Sequence, residues 1–136
     1  MITLITGKKG SGKTKKLLDL CNQALAESKG NVIFVEKDAT LTYDLSYKAR
    51  LVIAEEYAVC GYDKLYGFLS GICAGNYDVT DIFVDATLRI GGNDVAALEE
   101  MVKNLQKLAE KVNFVFSVSA DKSELPASLG TLATEI

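Results

Sequence analysis

The 136 residues suit a single domain, 1–136, which can bury a core of its own without disulfide or metal staples. Hydrophobic residues at 49% and charged residues at 24% exclude collagen-like, low-complexity and disordered classes. The net charge of −3 gives no strong nucleic-acid or membrane-surface signal, and the absence of histidine excludes histidine acid–base chemistry and histidine-held metals.

The run Ile2 to Thr6 is short and β-rich and stops at Gly7, which predicts a buried strand feeding a turn. Between Gly12 and Lys29, residues Leu17, Leu18, Cys21, Ala24 and Leu25 make one helical face, and Gly30 stands where a helix-closing glycine belongs. Val32–Val35 predicts a second strand. From Lys37 to Arg50 two readings stay open. Leu41, Tyr43, Leu45 and Tyr47 alternate as in a strand, and a loop with a helical turn fits equally well. Leu51–Ala54 predicts a third strand, ending in Glu55 and Glu56.

A second helix carries Leu65, Phe68, Leu69, Ile72 and Cys73, with Asp63 in its first turn. Ile82–Val84 is a strand closing on Asp85, followed by a loop over 86–93 with Gly91-Gly92 as a hinge. Val95, Leu98, Met101, Val102, Leu105, Leu108 and Val112 form the longest helical stripe, capped by Asn93 or Asp94. Phe114–Val118 is the next strand, and Leu129–Ile136 reads as a short edge strand. Strands alternating with helices imply an α/β fold with a mainly parallel sheet of five to six strands and helices on both faces. The strands read as continuous apolar runs, as parallel strands buried on both faces do.

The cysteines Cys21, Cys60 and Cys73 are odd in number and form no CxxC pair, which points to buried free thiols in a reducing cytoplasm. No stretch reaches the ~18 apolar residues of a membrane span, and no signal peptide is visible. The expected location is cytoplasmic.

Gly7-Lys8-Lys9-Gly10-Ser11-Gly12-Lys13-Thr14 fits G-x-x-x-x-G-K-[ST] in full, between a predicted strand and a predicted helix. Glycines let backbone wrap closely around a polyphosphate, and successive N–H groups then form an anion nest reinforced by the helix N-terminus. In such a loop Lys13 reaches the β- and γ-phosphates and the Thr14 hydroxyl ligates Mg²⁺. Lys8, Lys9, Lys15 and Lys16 form a basic collar, of which Lys8, Lys9 and Lys15 are candidate phosphate contacts. A metal-holding acid belongs at the end of another core strand, and Asp85 supplies it, so Thr14 and Asp85 are the candidate metal ligands.

These two motifs resemble those of P-loop nucleoside triphosphatases. The opening Ile2–Thr14 looks like that of thymidine kinases and RecA-like ATPases. The whole chain is similar to small stand-alone bacterial P-loop ATP-binding proteins sometimes labelled PilT-like, for twitching motility. A retraction motor of that kind uses histidine-bearing motifs, which this sequence lacks. The resemblance implies a three-layer P-loop fold. In its RecA-like form the strand Phe114–Val118 lies between the P-loop strand and the Asp85 strand.

Departures from the family pattern are informative. Where many ATPases place a water-polarising Glu after the metal-strand Asp, this chain has Ala86. Glu55 and Glu56 are the leading substitutes and Glu36 the third. Ser119, ahead of Ser117, is the candidate γ-phosphate-sensing tip. Asp85-Ala86-Thr87-Leu88 breaks the Asp-x-x-Gly of GTPases, and Asn-Lys-x-Asp is absent, which favours ATP over GTP. Only two arginines exist, Arg50 and Arg89, too few for an arginine-rich kinase lid, and Arg89 is a candidate finger in a neighbour's site.

Three functions follow as expectations. The first is a small ATPase that binds Mg-ATP and hydrolyses it slowly, with Lys13, Asp85, Glu55 and Glu56 as catalytic candidates and a homo-oligomer or protein partner completing the site. The second is a nucleotide-binding switch with negligible turnover. The third is a nucleoside-type kinase whose acceptor pocket draws on Tyr43, Tyr47, Tyr57, Tyr62 and Tyr66.

Overall fold

The structure is a computed structural model that describes residues 1–39 and 45–136. Among the described residues six parallel strands form one sheet: β1 (Ile2–Thr6), β2 (Asn31–Glu36), β3 (Arg50–Ile53), β4 (Val79–Val84), β5 (Asn113–Val118) and β6 (Thr134–Glu135). Their spatial order is β3-β2-β4-β5-β1-β6. The β5 strand therefore separates β1 from β4, the order the RecA-like resemblance implies. Among the described residues four α-helices accompany the sheet: α1 (Lys13–Glu27), α2 (Tyr62–Gly75), α3 (Thr87–Gly91) and α4 (Val95–Asn104).

The strands alternate their side chains between two cores. Ile5, Val32, Phe34, Phe83 and Val115 face α1 and meet Leu17 and Cys21 there. Leu4, Ile33, Val35, Ile82, Val84, Phe114 and Phe116 face the other way and meet Leu65 and Leu69 of α2 and Leu98, Met101 and Val102 of α4. Stacked phenylalanine pairs sit in both layers, Phe34–Phe83 at 6.5 Å and Phe114–Phe116 at 6.3 Å. Burial on both faces explains why these strands read as unbroken apolar runs. Among the described residues no helix is long and apolar enough to cross a membrane.

Several local expectations need correction. Gly30 does not close α1 in a left-handed turn. The helix ends at Glu27, the Ser28 N–H bonds Ala24 O at 2.7 Å, and Gly30 is needed because a Cβ there would lie 2.1 Å from Asp78 O. The stripe from Val95 to Val112 is not one helix. Asp94, rather than Asn93, caps it by accepting from the Ala96 and Ala97 N–H groups. At its other end Gln106 Nε2 donates to Val102 O at 3.0 Å, occupying the carbonyl the next turn would use, and the chain tightens into a 3₁₀ turn at Leu108–Glu110.

The 86–93 segment is largely α3, not an open loop, and Gly92 (φ 107°) closes it. Of Leu129–Ile136 only Thr134–Glu135 pairs as a strand, after a 3₁₀ turn over Ala127–Thr131. Leu41 and Tyr43 lie outside the described residues; Leu45 and Tyr47 belong to neither strand nor helix. The three thiols are free but unequal: Cys21 is buried, Cys73 half-buried and Cys60 exposed.

Candidate functional site

The loop between β1 and α1 is tied down at its entrance, where the Gly7 N–H bonds Ala120 O at 2.9 Å. Gly7 (φ 149°) admits the turn because a Cβ there would press within 2.5 Å of Ser11 Oγ. Gly10 (φ 84°) and Gly12 (φ 87°) adopt the left-handed backbone that side chains disfavour. The chain thus curls around Lys13, whose Nζ donates to Lys8 O at 2.8 Å. The Ser11 N–H donates to the same carbonyl at 3.1 Å. Burial pushes the Lys13 ammonium below its usual pKa range, and the charge of Asp85 partly offsets this.

The second half of the site stands at the end of β4. The Asp85 N–H continues the ladder to Val35 O at 2.9 Å, leaving its buried carboxylate beyond the strand. That carboxylate accepts from Ser117 Oγ at 2.5 Å, and from Thr14 Oγ1 at 3.2 Å and 3.4 Å. Ser117 Oγ in turn accepts the Ala86 N–H at 2.8 Å, holding Ala86 in a left-handed conformation (φ 54°) at the start of α3. One connected network therefore joins the first turn of α1 to the ends of β4 and β5. It borders an open cleft of about 490 Å³ lined by Lys9, Gly10, Gly12, Lys13, Thr14, Asp85, Ala86, Arg89, Ser117 and Ser119.

The expected residues divide accordingly. Lys13 and Thr14 meet Asp85, which lies 71 residues past Thr14, in this cleft, with Lys9, Gly10 and Gly12 on its wall and Gly7, Lys8 and Ser11 forming the loop behind. Lys15 is exposed and pairs with Asp19 one turn along α1, at 3.1 Å. Glu55 and Glu56 do not line the cleft. They occupy a 3₁₀ turn after the edge strand β3, where Glu55 pairs with Lys37 at 2.7 Å. None of the described tyrosines lines the cleft; Tyr47 and Tyr57 are exposed, and Tyr62 packs on Gly91.

Three features were ranked low or assigned elsewhere by sequence. Ser117 is the serine on Asp85, while Ser119 lies past the strand end on the cleft wall. Glu36 ends β2 and is buried, one residue beyond the Val35–Val84 pair, as Asp85 is on the adjacent strand β4; like Glu55 and Glu56 it does not itself line the cleft. Its signal was available: the strand that follows the P-loop helix ends in an acid. Arg89 lines the cleft of its own chain.

Thr14 and Asp85 offer a hydroxyl and a carboxylate oxygen within 3.4 Å of each other. This donor set fits Mg²⁺, which takes one or two carboxylates and completes its shell with phosphate and water oxygens. Among the described residues no group of three or more Cys, Asp or Glu is arranged to hold a metal without such outside donors.

No protein-family model matches the chain, and no curated protein sequence does. Among solved structures, that of the flagellar accessory protein FlaH from Methanocaldococcus jannaschii is similar, with a TM-score of 0.59 and 16% identity. The similarity covers 96% of this chain and 65% of that one, so the chain spans about two-thirds of FlaH's length. At this identity the likeness carries the fold, a P-loop NTPase-like α/β sheet.

Proposed function

We propose that this chain binds Mg-ATP in the cleft between the 7–14 loop and Asp85 and hydrolyses it slowly. The observation that carries this reading is the Lys13–Thr14–Asp85–Ser117 constellation, built from β1, α1, β4 and β5 at the C-terminal ends of parallel strands. Ligands of open α/β sheets bind at that end. The loop's glycine conformations and the α1 N-terminus suit a polyphosphate. On binding, Lys13 exchanges the Lys8 carbonyl for phosphate oxygens. Thr14 and Asp85 would hold Mg²⁺, whose charge would neutralise that developing on the phosphates. Ser117 keeps the Asp85 carboxylate aimed across the cleft.

Glu36 is the acid that strand register sets beside Asp85, and we assign it the orientation of the attacking water in place of Glu55 and Glu56. The in-line displacement forms a bond from that water to the terminal phosphorus and breaks the bond to the β-phosphate oxygen. A second reading, a nucleotide switch with negligible turnover, is favoured by Ala86 standing where a water-polarising acid is common.

Thermal unfolding with ATP, ADP and GTP, each with and without Mg²⁺, tests the binding claim. Ligand at ~100 times its dissociation constant stabilises by about 2.7 kcal/mol. That is a midpoint rise on the order of 5–15 °C in a domain of this size. We expect it for wild type with Mg-ATP and not for Lys13→Ala. No rise with any nucleotide removes the proposal. Phosphate release over many turnovers then separates the ATPase from the switch.

A further inference from the structure

Arg89 stands out because it is carried on an anchored helix while its own side chain is largely exposed. It lies on α3, four residues past Asp85, and lines the same cleft as Lys13 and Thr14. Both ends of α3 are anchored. Ala86 is held by Ser117, the Gly61 N–H bonds Ile90 O at 2.9 Å, and the Tyr62 hydroxyl donates to Gly92 O at 2.7 Å. The Tyr62 ring also packs where a Cβ on Gly91 would stand, within 2.3 Å. The Arg89 side chain is 62% exposed, and one guanidinium nitrogen meets Asp38 at 3.4 Å. An exposed, single-point pair of that length is weak, whereas guanidinium on phosphate forms a strong two-point fork.

We infer that Arg89 distinguishes a nucleoside triphosphate from a diphosphate in its own chain's cleft, and that Asp38 is its resting partner in the absence of ligand. This rests on the nucleotide-site reading above. The loop N–H groups serve a diphosphate and a triphosphate alike, and Lys13 is shared between the β- and γ-phosphates. Arg89 lines the cleft from α3, the helix that follows Asp85, and so answers to the additional terminal phosphate. The other arginine, Arg50, lies on edge strand β3 and does not line this cleft. Exchange of Asp38 for phosphate couples the occupied cleft to the chain leaving β2, since Asp38 is two residues beyond Glu36.

The test is the ratio of affinities for Mg²⁺ with a β,γ-imido ATP analogue and for Mg-ADP, measured by calorimetry on wild type, Arg89→Ala, Arg89→Lys and Asp38→Asn. We expect Arg89→Ala to cut the preference for the triphosphate by about 10- to 100-fold while ADP binding holds, which also shows that the variant folds. Arg89→Lys should recover only part of it. Asp38→Asn should raise the preference several-fold by removing the competitor. An unchanged ratio in Arg89→Ala, or equal weakening of both nucleotides, overturns the inference while leaving the site intact. Restoration of the ratio on mixing Arg89→Ala with Lys13→Ala chains would place Arg89 in a neighbour's cleft and overturn it too. Failure of wild type to bind either nucleotide overturns both proposals.

Discussion

Ser117 lies on β5 and Asp85 directly past the end of the adjacent β4, and the Ser117 hydroxyl spans both the acid's side chain and the peptide after it. A single buried oxygen thereby sets the direction of the carboxylate and the left-handed turn that launches α3. Ser117→Ala should cost about 1–3 kcal/mol, since it orphans the Ala86 N–H and a buried carboxylate lone pair. The unfolding midpoint should drop on the order of 5–10 °C. Nucleotide binding in Mg²⁺ should weaken more than binding in its absence, because the loop does not depend on Ser117. Equal weakening in both conditions would refute the assigned role.

Glu36 and the pair Glu55/Glu56 make opposite predictions. Glu36→Gln should lower phosphate release by about 10²–10³-fold, in the range for loss of a positioned acid–base group, while nucleotide affinity stays within a few-fold. Glu55→Gln and Glu56→Gln should leave turnover near wild type. Steady-state phosphate release with a parallel binding titration checks all three. A turnover loss confined to Glu55→Gln would return the role to the edge-strand turn.

The buried thiol of Cys21 sets an alkaline limit on stability. Burial, and secondarily the charge of Asp81, pushes its pKa up from 9.0 to about 12. The unfolded thiol ionises first, so stability is complete below pH 9 and is lost as pH rises from there toward 12. Lys13 acts with the opposite sign. Its depressed pKa means the unfolded chain binds the extra proton, so stability rises with pH from the depressed value up to 10.5. Urea unfolding between pH 8 and 11 should show a flatter decline for Cys21→Ala and a steeper one for Lys13→Met than for wild type. With a thiol reagent under native conditions, Cys60 should react first and Cys21 only on unfolding.

Two glycines should respond to alanine in opposite directions. At Gly30 the new Cβ meets Asp78 O at 2.1 Å, and that carbonyl is already held by the Asn31 N–H at 2.8 Å, so it cannot retreat. Gly30→Ala should cost at least about 1–3 kcal/mol. Gly67 lies within α2, exposed, with nothing within 4 Å of the corresponding Cβ. Gly67→Ala should stabilise by about 0.5–1 kcal/mol. Chemical denaturation of the two variants reads both signs.

The parts of the site that sequence exposed are those with local grammar. Gly7 to Thr14 announces itself because its spacing is a backbone requirement, and Asp85 because an apolar run ends on an acid. What stayed hidden depends on which strands are neighbours. Glu36, Glu55 and Asp85 all close apolar runs, and only the order β3-β2-β4-β5-β1-β6 sets Glu36 beside Asp85 and sends Glu55 to the sheet edge. Ser117 reads as one polar residue in an apolar strand until the Val84–Phe116 pairing brings it under Asp85. The long α4 stripe misled because Leu105, Leu108 and Val112 remain core-facing after the helix ends, so periodicity outlasts the hydrogen bonding.

The pairing of β1 with β5 joins Ile2 to Phe114 and Thr6 to Val118. During synthesis the chain must therefore hold its P-loop strand without its inner neighbour until more than a hundred further residues have emerged. The segments β2, β3 and β4 can assemble earlier, since they pair with one another. Closing so large a separation is slow, and it comes late in the folding reaction. In a refolding time course, nucleotide-competent molecules should consequently appear with the last kinetic phase, well after most of the helical signal has returned.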